Sequence, residues 1–217
     1  SEGDAAAVRY LDGFHNRWYL DPLYRGVYPE DMLELFGADA PEVRDGDMAR
    51  IMTPTDYLGI NYYSRHVVGE GSSGTEPRYV HDPDGEYTTM GWEVYPQGLT
   101  DLLVRVKEDY EPPAMQITEN GAAYRDPAPT NGRVEDPRRV AYFAAHVAAM
   151  GDAIAAGVPL TAYYAWSFMD NFEWAFGYGQ RFGIVHVDFD TLVRTPKASF
   201  AFYRDQIASQ RATSPTS

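Results

Sequence analysis

The chain contains no cysteine. That excludes disulfides, thiolate metal sites and cysteine nucleophiles, and it fits a reducing compartment. No apolar run approaches the roughly 20 residues of a membrane span, and the opening "SEGDAAAVRY" lacks the pattern of a signal peptide. A cytoplasmic location is therefore expected, with export left open because so abrupt a start need not be the true one. Basic residues are scarce, 18 against 32 acidic ones, for a formal net charge of -14. Nucleic-acid backbones and anionic membrane surfaces repel such a chain, so the expected partner is a neutral small molecule. No G-x-G-x-x-G or G-x-x-x-x-G-K-[ST] loop follows any apolar segment. The five histidines, His15, His66, His81, His146 and His186, show no ligand spacing. Neither a metal nor an organic cofactor is expected.

The 217 residues are 44% hydrophobic and 14% aromatic, enough for a core, and the 17 tyrosines and 4 tryptophans also suit a site that stacks and hydrogen-bonds polar ligands. From Asp4, the apolar positions Val8, Leu11, Phe14 and Trp18 recur at helical spacing as far as the turn formers of "LDPLYRG". A short amphipathic piece covers residues 31–36. The segment "DYLGINYY" predicts a buried strand over 57–62, and residues 64–96, rich in Gly, Ser, Pro and charge, form a long excursion. Leu99, Leu102, Leu103 and Val106 mark one face of the next helix. "AMQIT" is a second strand. Asp136 and Pro137 supply N-cap and first-position signals for a helix carrying Val140, Phe143, Val147 and Ile154, which Gly157 closes. A third strand spans 160–166, "RFGIVHVDF" is a short extended or hairpin segment, and "PKASFAFYRDQIAS" is the last helix. Residues 210–217 are expected to be a disordered tail.

Helices alternating with strands imply parallel strands joined by crossovers, hence an α/β fold. An open doubly wound sheet and a (β/α)8 barrel compete. The missing phosphate loop weakens the first. In a barrel, chemistry gathers at the C-terminal strand ends, and these strands end in Asn61 and Tyr63, in Glu119 and Asn120, and in Trp166. A Glu at a strand end is by default a solvated or capping acid. Three strand ends with convergent polar groups favour a functional reading of Glu119, with Gly121 permitting a tight turn after it.

The motifs "ITENG", "YLGINYYS", "MGWEVYPQGL" and "WSFMDNFEWAFGYGQRFGIVHVDF" resemble the glycoside hydrolase family 1 β-glucosidases, in the same order and over nearly the whole chain. The resemblance implies a retaining β-glycosidase acting on small β-glucosides or cello-oligosaccharides. Glu119 would be the nucleophile that forms a covalent glycosyl-enzyme, and Tyr63 would donate a hydrogen bond that holds it ionised. A buried core role is the alternative for Tyr63. Asn61 would lie in the neighbouring shell. Glu173 and Trp174 would grip sugar hydroxyls, and Trp166 would give the sugar's apolar face a platform. Phe182 would close the same subsite or serve packing. Trp92 would wall the leaving-group subsite. The family pattern also implies a non-proline cis bond between Trp166 and Ser167.

Retaining hydrolysis needs a second carboxyl group about 5 to 5.5 Å from the nucleophile. In the family this acid/base is the Glu of an Asn-Glu-Pro motif, which does not occur here; Glu30 in "YPEDM" precedes the first strand and is on the wrong element. Three β/α units where a barrel requires eight give the same reading. The chain is expected to be one domain portion over residues 1–217, carrying about strands six to eight, completed by an N-terminal part that supplies the acid, as a separate chain. The rivals are a 6-phospho-β-glycosidase, disfavoured by "NFEW", a thioglucosidase of the same family, and a non-catalytic glycan-binding relative or inactive fragment.

Overall fold

The computed structural model describes residues 1–72 and 77–213. These fall into two compact units. The first holds Ser1–Asp56, the described part of His66–Asp84, and Val106–Pro113. Helix α1 (Glu2–Asp12) continues through a π-helical turn (Gly13–Arg17) into α2 (Trp18–Arg25). The wider turn inserts a residue and shifts the helical phase. Val8 and Phe14 of the expected apolar stripe are exposed, whereas Ala7 and Gly13 are buried. Helix α2 passes through Pro22 and stops at Gly26, whose φ of 70° is the left-handed cap that glycine adopts without steric cost. Arg17 locks this unit with a two-pronged pair on Asp31 at 2.9 and 2.8 Å and a third bond to Asp12 at 3.1 Å. Two short helices follow, α3 (Glu30–Phe36) and α4 (Asp47–Ile51), with Glu30 exposed on the first turn of α3.

The second unit holds Tyr57–Arg65, Gly85–Arg105 and the described chain from Ala114 onward. Strands β1 (Leu58–Asn61), β4 (Met115–Asn120) and β5 (Leu160–Ala165) form a parallel sheet in the order β1-β4-β5. The intervening β2 (Val68–Gly69) and β3 (Arg78–Tyr79) pair as a small antiparallel hairpin within the first unit, in the segment expected to be a loop excursion. The crossovers run through α5 (Pro96–Tyr110) and α6 (Pro137–Ala155). The expected segment near 185 is an antiparallel pair, β6 (Val185–Val187) with β7 (Arg194–Pro196), and α7 (Ala198–Thr213) follows. Residues 210–213 of the expected tail are thus helical, and 214–217 lie outside the described residues. No helix of the described residues is long and apolar enough to cross a membrane.

Leu99 and Leu103 of α5 are fully buried, as their spacing predicts. Helix α6 turns a different face inward. Its buried residues are Arg139, Tyr142, Phe143, His146, Ala149, Met150 and Ala153, while Ile154 is exposed. The helix ends at Gly157, φ 83°, where Gly157 N–H bonds Ile154 O and Val158 N–H bonds Ala153 O, the paired bonds of a Schellman cap. Asp136 occupies the N-cap position but does not cap with its side chain. Its carboxylate accepts instead from Arg139 Nη1 at 2.6 Å and from the Ser199 backbone at 2.8 Å.

That diversion belongs to a buried charge network. Arg139 also bonds Asp126, Lys197 Nζ bridges Asp126 and Asp170, and Arg181 bonds Asp170 at 2.6 Å. Three carboxylates meet three cations, which keeps the cluster neutral and satisfied, as burial demands. Burial lowers the Lys197 pKa, with Arg139 adding to the effect and Asp170 and Asp126 opposing it.

Candidate active site

The loops at the ends of β4 and β5 build the site. Glu119 sits where the pairing register of β4 slips against both neighbours, and such irregularities re-aim side chains at sheet ends. The Tyr62 N–H donates to Glu119 O at 2.9 Å and anchors the backbone there. Tyr63 Oη donates to Glu119 Oε2 at 2.7 Å. Burial raises the Tyr63 pKa, and the hydrogen bond to the Glu119 carboxylate and its charge raise it further. The phenol is therefore a neutral donor at working pH, aimed at a Glu119 carboxyl oxygen. The Tyr63 ring lies 5.1 Å from Trp92 and 6.1 Å from Phe182, and these two rings are 6.1 Å apart.

Asn120 fixes the end of β4. Fully buried, its Nδ2 donates to Tyr62 O at 2.8 Å and Tyr142 Oη at 2.9 Å, and its Oδ1 accepts from Tyr163 Oη at 2.8 Å. Gly121 answers a different need from the expected tight turn, since its φ is not in the left-handed region. A Cβ there would stand 1.7 Å from Trp166 O, so glycine is required by the approach of the neighbouring backbone. The Trp166 N–H bonds Asn120 O at 2.8 Å across the same approach.

After β5 the Trp166–Ser167 peptide is cis. Asp170 steadies the loop that follows, accepting from Lys197, Arg181 and the backbone N–H groups of Gly183 and Val187. This loop carries Glu173, 8% exposed, close to Trp166. Burial raises the Glu173 pKa, the neighbouring Trp166 indole opposes this, and the charge of Glu119 pushes it up again.

The structure therefore joins Glu119, Tyr63, Trp92 and Phe182 in one cluster and Glu173 with Trp166 beside it. Asn61 is the register partner of Glu119 across β1 and β4, while Trp174 stands apart. The Asn61 side chain accepts from Thr118 Oγ1 at 2.7 Å and makes no bond to Glu119. Trp174 is 79% exposed on a short 3-10 turn. The supports Tyr142 and Asp170 carry no linear signal, because their partners lie far along the chain. Among the described residues no group of three His, Asp or Glu side chains is disposed to hold a metal ion. What the arrangement can do is hold one carboxylate at an aromatic wall, next to a second able to accept from hydroxyls.

Comparison with known proteins places this geometry. The glycosyl hydrolase family 1 model matches residues 1–212. β-Glucosidase A of Thermotoga maritima is 44% identical over 207 residues, covering 95% of this chain and 46% of the relative. The crystal structure of the GH1 β-glucosidase from Exiguobacterium antarcticum B7 superposes with a TM-score of 0.93 at 40% identity, covering 99% of this chain and 49% of that one. The β-glucosidase from Thermotoga maritima in complex with glucoimidazole gives a TM-score of 0.91 at 44% identity, over 96% of this chain and 47% of that one. The chain spans about half the length of the relatives it matches, as a partial α/β portion of their barrel. With a family match over nearly its full length and the parallel sheet to go with it, the chain belongs to glycosyl hydrolase family 1.

Proposed function

We propose that this chain carries the nucleophilic side of a retaining β-glucosidase. Glu119 attacks the anomeric carbon and forms a glycosyl ester as the glycosidic bond to the leaving oxygen breaks. Water then attacks the same carbon, releasing the sugar and restoring the carboxylate. Tyr63 holds the attacking oxygen by its hydrogen bond. Glu173 accepts from sugar hydroxyls, with Trp166 as the ring platform and Trp92 as the wall of the leaving-group side. Trp174 turns inward once its exposed face is covered. The proton for the leaving oxygen comes from a carboxylic acid outside residues 1–217, on the N-terminal part of the barrel. The substrates are small β-glucosides, including cello-oligosaccharides.

The observation that carries this reading is the 2.7 Å bond from Tyr63 to Glu119, made near Glu173. Support for a sugar ligand comes from the relative solved with glucoimidazole. The test is hydrolysis of an aryl β-glucoside by this chain alone, by the chain mixed with the remaining half of the barrel, and by the Glu119→Gly form of that mixture. Turnover in the mixture only, lost with Glu119→Gly, is the expected result. Full turnover by the Glu119→Gly mixture removes Glu119 from its role, and full turnover by the chain alone removes the outside acid.

A further inference from the structure

Two stretches of the second unit, Tyr62 to Arg65 and Trp92 to Tyr95, are joined by four contacts. The Tyr62 hydroxyl donates to Tyr95 O at 2.6 Å. The Tyr63 ring meets the Trp92 ring at 5.1 Å. Arg65 forms a fork on Glu93, Nε to Oε2 at 2.8 Å and Nη2 to Oε1 at 2.9 Å. The guanidinium also lies 3.5 Å from the centre of the Tyr95 ring.

The pair is not an ordinary surface ion pair. Glu93 is 8% exposed, and the fork fixes both the distance and the rotation of its partners, which a lysine in place of Arg65 would not do. Its ends stand two residues after Tyr63 and one residue after Trp92. The loop bearing Trp92 has internal bonds, from Gly91 N–H to Thr88 O at 3.0 Å and from Thr88 N–H to Trp92 O at 2.9 Å, and is tied elsewhere by Thr89 N–H to Ala123 O at 3.0 Å, none of which reaches the Tyr63 segment. The backbone beyond β1 that carries Tyr63 is held by Tyr62 N–H to Glu119 O at 2.9 Å and by Tyr142 Oη to Tyr63 O at 3.3 Å, neither of which reaches the Trp92 loop.

We propose that the Arg65–Glu93 pair is a positioning device for the site, holding the Tyr63-bearing segment against the Trp92-bearing loop so that the Tyr63 hydroxyl meets Glu119 and the Trp92 ring stays upright. The catalytic meaning of this rests on the nucleophile reading above; the geometry does not. Arg65 and Glu93 touch no reacting atom and act through Tyr63 and Trp92.

The test reads the Tyr63 hydroxyl directly in the 217-residue protein. A phenol proton bonded to a carboxylate at 2.7 Å gives a slowly exchanging downfield proton resonance, assigned by its loss in Tyr63→Phe. The His146 Nδ1–H, bonded to Tyr142 O at 2.8 Å inside the core, serves as the fold control. Arg65→Lys and Glu93→Gln are each expected to abolish or broaden the Tyr63 resonance while the His146 resonance stays. A Tyr63 resonance that survives both substitutions unchanged overturns the proposal, as does its loss only together with the His146 signal, which marks a merely structural pair. In the turnover assay of the completed barrel, Arg65→Lys is expected to lower kcat roughly tenfold, and less than about twofold when Tyr63 is already Phe. Equal losses in both backgrounds also overturn it. Failure of the nucleophile reading is seen separately, in the Glu119→Gly mixture.

Discussion

Gly121 and Tyr63 decide the site at the scale of single residues. At Gly121 any side chain would begin inside the Trp166 carbonyl, 1.7 Å from a Cβ, and the obstacle is backbone that cannot swing away. Gly121→Ala is expected to destabilise the fold by roughly 3 kcal/mol or more, because the ends of β4 and β5 must separate and the Trp166 to Asn120 bond must stretch. Urea denaturation of the variant measures this, and an unchanged midpoint refutes it. Tyr63→Phe removes one hydrogen bond to a charged acceptor, worth about 1.5 to 3 kcal/mol. Turnover of an aryl glucoside by the completed barrel should fall about 10- to 100-fold with the fold intact, checked by circular dichroism on the same sample. The sequence alone makes Glu119 and Tyr63 visible as a strand-end acid and a strand-end tyrosine. It cannot tell why Gly121 is glycine, since the atom that excludes a side chain belongs to a residue 45 positions away.

Among the elements, α6 shows best where linear reading stops. Its ends are legible, from Pro137 at the first turn to the left-handed Gly157 beyond the last. Its buried face is not, because the stripe includes Arg139 and His146, which an apolar pattern passes over. Arg139 is buried at no cost in unpaired charge, since Asp126 and Asp136 lie at 2.8 and 2.6 Å. The strands β1, β4 and β5 were legible from short apolar, partly β-branched runs, and the register slips that turn Glu119 outward were not. Two predictions belong here. Burial pulls the His146 pKa down to about 4, so the folded state keeps the ring neutral while the unfolded chain takes up a proton near the ordinary 6.5. A group with a lowered folded pKa gives its stability above the unfolded value and loses it as pH falls towards the folded one. Between pH 6.5 and about 4 this ring should remove up to roughly 3 kcal/mol. His146→Phe should flatten that part of the pH dependence of the urea midpoint, and an identical slope in both proteins refutes the assignment. The second concerns Asp170, which accepts from two cations and two backbone N–H groups. Asp170→Asn leaves Lys197 and Arg181 short of a charge partner and should cost about 3 to 5 kcal/mol; a loss below about 1 kcal/mol by thermal melting would show the network to be dispensable.

For the molecule as a whole, charge and apolar exposure pull in opposite directions. In the described sheet β1 and β5 are edge strands, and an unpaired parallel edge is a template for further pairing. Within the same unit Tyr164, Phe168, Phe172, Trp174, Phe176 and Tyr178 are each more than half exposed, well beyond scattered surface aromatics. A net charge of -14 opposes contact between copies through mutual repulsion. Salt weakens that repulsion, since the screening length falls from about 30 Å at 0.01 M to about 3 Å at 1 M, while apolar attraction survives. The isolated chain is therefore expected to self-associate more as salt rises, the reverse of a protein held together by surface ion pairs. Light scattering at fixed protein concentration across that salt range follows this, and adding the remaining half of the barrel should suppress the rise by covering the exposed rings and edges. If scattering is flat with salt, or the added half leaves it unchanged, the exposed aromatic set is not the surface that completion of the barrel covers.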